Sequence, residues 1–154
     1  MFRHTYLLEP GLWAVEGHYY DQEDNRHDAQ GQLLMSHAAG LWTLESQLRI
    51  SGQDQRDFIS RYEITPMPPE ASFTEWKSQV GGPEPIYGLF VLVEDTVMMP
   101  WQSQSGLYWG QEIMGWKSAD EYLGRGFAFL KEQKVSAWAF RLTRQSKAED
   151  MEPL

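Results

Sequence analysis

The sequence contains no cysteine among its 154 residues. Disulfide bonds, thiolate metal sites and cysteine nucleophiles are therefore excluded, and a reducing compartment is compatible with folding. Long apolar runs are also missing, since the longest candidate, residues 87–93, is far shorter than the about 20 residues of a membrane-spanning helix. Residues 1–9 include Arg3, His4 and Glu9 and lack the apolar stretch of a secretory signal. We therefore expect a cytoplasmic protein that does not associate with membranes.

Positive charge is scarce. Lysine and arginine total 13 against 22 aspartate and glutamate residues, which gives a formal net charge of −9 at pH 7. Such a surface repels nucleic-acid phosphates and anionic bilayers. We therefore expect no nucleic-acid partner.

Histidine is scarce as well, and its four positions are His4, His18, His27 and His37. None of their spacings is typical of a zinc site, and no cysteine is present to complete one. Motif searches for a serine nucleophile elbow, a P-loop, a dinucleotide-binding glycine pattern and His-Glu-x-x-His find nothing. We expect neither a metal nor a cofactor. His37 has the most apolar surroundings and is a candidate for ligand contact or proton transfer, the alternative being an ordinary hydrogen-bonded core or rim histidine.

Aromatic residues are abundant, at 14% of the chain, and apolar residues make up 42%. Helical periodicity is nearly absent, and short segments of strand-forming residues alternate with turn residues at regular spacing. This pattern predicts one antiparallel β domain over residues 1–145, followed by a flexible tail over residues 146–154. The ten predicted strands cover residues 11–21, 32–37, 41–50, 56–65, 73–80, 86–94, 97–102, 106–114, 122–131 and 135–144.

Two of the intervening segments carry specific expectations. Residues 21–30 are rich in charged side chains and are predicted to form a loop. Ser118 and Glu121 have the spacing of a capping box, which predicts a helical turn at this point. Gly124 and Gly126 follow closely and disfavour a longer helix. We therefore expect an all-β antiparallel up-and-down barrel of about ten strands, with at most one or two short helical turns.

The first and last predicted strands resemble those of the calycins, the superfamily of lipocalins and fatty-acid-binding proteins. Gly11-Leu12-Trp13 is similar to the lipocalin Gly-x-Trp, and Arg141 lies where lipocalins place an arginine that packs on this tryptophan. The resemblance implies a closed barrel with a ligand-binding tendency, in which Trp13 and Arg141 complete one end. The carboxylate clamp of fatty-acid-binding proteins is missing, because Thr143 stands where its tyrosine would be.

Glycines share strand faces with tyrosines and with one glutamate. Gly17 lies on the same strand face as Tyr19, and Gly110 lies on the same face as Glu112. If these faces point inward, the glycines leave space for a ligand and Glu112 becomes a buried carboxyl group. The alternative is that the glycines mark bulges and bends of the strands while Glu112 faces water.

The leading hypothesis is that the barrel binds a small, largely apolar molecule, neutral or cationic, in a cavity with aromatic walls. One alternative is an isomerase, cyclase or hydratase that uses Glu112 as acid or base, and another is a non-catalytic homodimerising module. No motif decides whether a reaction is catalysed. The candidate ligand-binding residues are Tyr19, His37, Trp42, Tyr108, Glu112 and Tyr122.

Overall fold

The computed structural model describes residues 3–52, 56–80 and 82–146, which form ten β-strands. Of the predicted tail, residues 147–154 lie outside the described residues, and the single-domain boundary stays a prediction. The strands are β1 (Gly11–Tyr20), β2 (Arg26–Ala38), β3 (Leu41–Ile50), β4 (Arg56–Ile64), β5 (Phe73–Val80), β6 (Ile86–Val93), β7 (Thr96–Ser103), β8 (Tyr108–Ser118), β9 (Glu121–Leu130) and β10 (Gln133–Ser146).

The strands form one closed antiparallel barrel. Each pairs with its neighbours in sequence, and β1 also pairs with β10. Closure in this way leaves neither terminal strand as a free edge. Alternation along each strand directs every second side chain into the barrel, as with Leu44, Ser46 and Leu48 of β3. The prediction of an all-β, ten-stranded up-and-down barrel is confirmed.

Strand β2 begins at Arg26 instead of position 32, so the charged loop predicted over residues 21–30 is mostly wrong. Its charged side chains occupy outward positions. Asp28 is exposed whereas its neighbour Ala29 is buried. A polar stretch forms a strand here because only one face of an antiparallel sheet has to meet the core.

The helical turn predicted at Ser118 is also wrong. Strand β8 runs to Ser118, and β9 starts at Glu121. The Ser118 hydroxyl does accept the N–H of Asp120, at 3.2 Å, but within a tight turn. Pairing of Trp116 with Tyr122 continues the ladder to this turn, and tertiary pairing overrides the local capping preference. The described part of the chain contains no helix that is long and apolar enough to cross a membrane.

The segment before β1 closes one end of the barrel. Tyr6 and Leu7 are buried completely, at 1% and 0% exposure. The Tyr6 ring packs against Trp13 and Tyr122, with centroid distances of 5.9 and 5.8 Å. Since all of these side chains are buried, this end of the barrel is packed as a solid core.

Arg144, and not Arg141, is the arginine that packs on Trp13. Its guanidinium carbon lies 5.8 Å from the ring centroid, and its Nη2 donates to Oε1 of Glu9 at 2.8 Å. The register places Arg144 directly opposite Trp13. Arg141 lies on the outer face, three positions earlier, and forms an exposed ion pair with Glu121 at 3.1 Å. The closing role predicted for Arg141 therefore belongs to Arg144.

Candidate functional site

A cavity of about 350 Å³ occupies the barrel between the closed end and the opposite rim. This volume lies in the range of small-molecule sites. All ten strands contribute to its wall, together with Tyr6 from the closing segment. Phe58, Ile59 and Val80 line it and are 38%, 60% and 51% exposed, so the cavity opens to solvent at this rim.

Three cavity tryptophans each cover a glycine of the neighbouring strand. A Cβ atom on these glycines would lie only 2.3, 2.7 and 2.3 Å from a ring carbon of the respective indole. Each ring therefore occupies the space that a side chain would need, an arrangement known as aromatic rescue of a strand glycine. Each indole thus lies against the backbone of the neighbouring strand, and all three tryptophans line the cavity. The register pairs are Trp76 with Gly88, Trp101 with Gly110, and Trp138 with Gly126.

Glu112, Gly126 and Trp138 form one row across β8, β9 and β10. Because Gly126 has no side chain, the Trp138 indole extends across β9 toward β8. Its Nε1–H donates to Oε2 of Glu112 at 2.6 Å. This charge-assisted contact fixes the carboxyl group in the cavity wall.

Among the described residues that line the cavity, Glu112 is the one with a carboxyl group. Burial raises the pKa of Glu112 from 4.5 to about 7, and the hydrogen bond from Trp138 offsets part of this shift. Burial also raises the pKa of Tyr6 and of Tyr62, and the nearby charge of Glu112 adds to both shifts. Among the described residues that line the cavity, none is lysine, arginine or histidine. Glu112 therefore changes its charge near neutral pH without a cationic side chain beside it in the cavity wall.

A second polar group lies on the far wall. The hydroxyl groups of Ser46 and Ser60 are hydrogen-bonded to each other, and Ser60 also contacts the Tyr62 hydroxyl at 3.5 Å. Strand β3, which carries Ser46, lies five positions from β8 in the ring of ten strands. The hydroxyl cluster thus faces Glu112 across the barrel, and apolar surface lies between them.

The predicted ligand-binding residues divide between the cavity and its surroundings. Tyr19 and Glu112 line the cavity. Tyr108 is partly buried at the start of β8 and does not line it. Strand alternation puts Tyr108 and Glu112 on the same face of β8. They differ in position along the barrel axis, because Tyr108 is the first residue of the strand and lies four residues before Glu112.

His37 and Trp42 lie toward the closed end, outside the cavity lining. Their rings stack with centroids 3.8 Å apart, and His37 Nε2 donates to the Leu7 carbonyl at 2.8 Å. Burial lowers the pKa of His37, which the hydrogen bond to Leu7 partly opposes. His37 thus holds the closing segment, which is the ordinary structural role considered for it as an alternative.

Tyr122 is likewise part of the closed end and does not line the cavity. Nε2 of His4 donates to the Glu94 carbonyl at 2.7 Å, so its Nδ1 accepts the Tyr122 hydroxyl proton, also at 2.7 Å. The same hydroxyl accepts the N–H of Thr5 at 3.3 Å. No cluster of three or more metal-ligating side chains occurs within the described ranges.

Sequence patterns did not indicate which tryptophans form the cavity wall. They left space for a ligand at Gly110, which the indole of Trp101 fills, and the indole of Trp138 covers Gly126 in the same way. Each of these contacts joins residues of different strands, and only the strand register shows which tryptophan faces which glycine. A glycine on an inward face together with a tryptophan on an adjacent strand was the one available indication.

Another aromatic cluster lies on the outside of the barrel. Trp109 stacks on Phe129 with centroids 4.7 Å apart and meets Phe127 edge-on at 6.1 Å. Trp109 is 39% exposed. This outer cluster is separate from the cavity, since none of its three residues lines it.

No protein-family model and no curated protein sequence matches the chain. Solved structures are similar in fold. The S-type phycobiliprotein lyase CPES from Guillardia theta has a TM-score of 0.62 at 8% identity, over 89% of this chain and 88% of that one. EF1p2_mFAP2b bound to DFHBI has a TM-score of 0.50 at 17% identity, over 94% and 98%. At these identities the likeness concerns the fold alone.

Proposed function

We propose that the protein binds a small, largely apolar molecule inside the barrel. The observation that carries this proposal is the 350 Å³ cavity, which is open at one rim and closed by packed core at the other. Aromatic and aliphatic side chains dominate its wall, and a few polar groups are fixed within it. This combination is typical of small-molecule sites.

A structural neighbour also supports the binding of a small molecule. EF1p2_mFAP2b holds the small molecule DFHBI, so a fold of this type has the capacity for such a ligand. The net charge of −9 makes a polyanionic partner unfavourable. A role of Glu112 as a catalytic acid or base stays a prediction.

Filling the cavity tests the proposal. Ala128 of β9 lines the cavity. Ala137 of β10 lies between the lining residues Ser136 and Trp138, so its side chain points outward. N-phenyl-1-naphthylamine, a neutral dye that fluoresces in apolar surroundings, serves as the probe. We expect the unmodified protein to bind it, Ala128→Phe to weaken binding at least about ten-fold by occupying ligand space, and Ala137→Phe to bind like the parent.

Circular dichroism and thermal unfolding establish that both variants fold before the titrations are compared. Equal dye affinities in the parent and the folded Ala128→Phe variant would place binding outside the cavity. Absence of dye binding to the parent would likewise contradict the proposed function.

A further inference from the structure

We propose that the cavity selects organic cations: molecules with an apolar body and a protonated amine or quaternary ammonium group, which Glu112 and the indoles of Trp101 and Trp138 receive. This inference rests on the proposed function, because it names the class of ligand for the same cavity.

Charge is the first feature of the cavity that favours a cation. Glu112 lies in the cavity wall with one hydrogen-bond donor, Trp138 Nε1 at 2.6 Å on Oε2. No lysine, arginine or histidine is found among the described lining residues. A carboxylate that is partly removed from water and has no cationic partner is costly in free energy. A cationic ligand supplies the partner that the wall itself does not provide, and an anionic ligand would be repelled.

The second feature that favours a cation is the arrangement of the indoles around this carboxyl group. The Trp138 ring covers Gly126, the residue directly paired with Glu112. The Trp101 ring covers Gly110, the preceding inward position of β8. Glu112 is thus flanked by two rings that lie against backbone, and both tryptophans line the cavity.

The third feature is the attraction of indole rings for a cation. Tryptophan provides the most attractive ring face for a cation, and the attraction grows when water is excluded. Combined with one carboxylate, flanking indoles favour an ammonium group over an alcohol of the same shape. The rest of the ligand lies against the apolar wall toward the hydroxyl cluster of Ser46, Ser60 and Tyr62.

Three probes with one naphthalene body separate the contributions. They are 1-naphthylmethylamine, which is cationic, 1-naphthylmethanol, which is neutral, and 1-naphthoic acid, which is anionic. At pH 8, we expect calorimetric titration of the full chain to give an affinity for the amine at least about ten-fold above that for the alcohol, because hydrogen bonds to charged groups are the stronger class. The acid is expected to bind weakest.

Glu112→Gln is expected to reduce the amine affinity to that of the alcohol while leaving alcohol binding within about two-fold. The matched control is Glu75→Gln, which removes the same charge from an exposed position of β5. It is expected to change neither affinity, which shows that the overall negative charge of the protein is not the cause.

A pH comparison gives an independent readout. Among the described lining residues, the other titratable side chains are the phenols of Tyr6, Tyr19 and Tyr62. Burial raises the pKa of Tyr6 and of Tyr62 above the usual value for tyrosine. Protonation of Glu112 at pH 5.5 is expected to lower the amine affinity by roughly an order of magnitude and to leave the alcohol affinity unchanged.

The outcomes are distinguishable. Equal affinity for amine and alcohol at pH 8, or an amine preference that Glu112→Gln retains, would overturn the cation inference while the proposed function stands. Failure of all three probes and of the neutral dye to bind would remove the proposed function itself.

Discussion

Glu112 is the residue on which the chemistry of the cavity depends. A carboxyl group in an apolar wall favours its neutral form, and here a single indole N–H partly stabilises the charged form. The residue is therefore neutral in mild acid and charged in mild base. Its protonation state links the stability of the barrel to pH.

The pH dependence of stability follows from this shift. The folded-state pKa of about 7 exceeds the unfolded value, so Glu112 favours folding below its unfolded pKa and loses this contribution as pH rises through 7. Urea unfolding gives the free energy of unfolding of Glu112→Gln and of the parent. The variant's free energy minus the parent's is expected to increase by about 2 kcal/mol from pH 5 to pH 8. The glutamine carbonyl still accepts the Trp138 hydrogen bond.

The difference between the two proteins isolates Glu112 from every other titrating group, because those groups are common to both. A parent and a variant whose unfolding free energies differ by the same amount at pH 5 and pH 8 would show that Glu112 is not shifted in the folded state.

At the residue scale, the sequence supported Glu112 and Tyr19 as inward residues because simple alternation from neighbouring apolar positions reaches them. The same rule placed Tyr122 on one face with Gly124 and Gly126, and apolar surroundings made His37 a candidate. Neither pattern assigns the height of a residue along the barrel. Whether a residue lines the cavity or the packed end depends on which end of the barrel the closing segment fills. This could not be predicted, because the closing segment has no strand periodicity.

At the element scale, the closing segment depends on hydrogen bonds to strands far away in sequence. The Tyr122 hydroxyl joins His4 and Thr5 to β9. Tyr122→Phe leaves both of these groups buried without that partner. We expect the substitution to lower the unfolding free energy by about 1–3 kcal/mol, and Tyr87→Phe, at a 44% exposed position, to have almost no effect.

The affinity for N-phenyl-1-naphthylamine provides the second readout of Tyr122→Phe. It is expected to stay at the parent value at temperatures where the variant is folded, since Tyr122 does not line the cavity. Loss of dye binding with unchanged stability would instead place Tyr122 at the ligand, as the sequence alone had indicated.

Element boundaries show where local patterns reach their limit. Leu41–Ile50 and Phe73–Val80 were predicted at their observed bounds, because strand-forming residues stop at turn residues on both sides. Arg26 and Ser118 were assigned to a loop and a helical turn from local polarity and capping. Both belong to strands because pairing with a neighbouring strand satisfies their backbone groups.

At the scale of the whole molecule, closure of the barrel separates two environments. The chain has a net charge of −9, and the described part of the cavity wall contains one of its carboxyl groups, that of Glu112. Short antiparallel connections between ten strands made this closure predictable from sequence. The cavity itself was not predictable in detail, since its walls depend on a register that no local pattern fixes.

The location of a bound probe tests the central claim most directly. The seven tryptophans give separate indole N–H signals in a two-dimensional 1H–15N spectrum of the labelled protein. On titration with N-phenyl-1-naphthylamine, the signals of Trp76, Trp101 and Trp138 are expected to shift together, while that of Trp109 in the outer cluster stays in place. Shifts confined to Trp109, with the three cavity signals unchanged, would contradict binding inside the barrel.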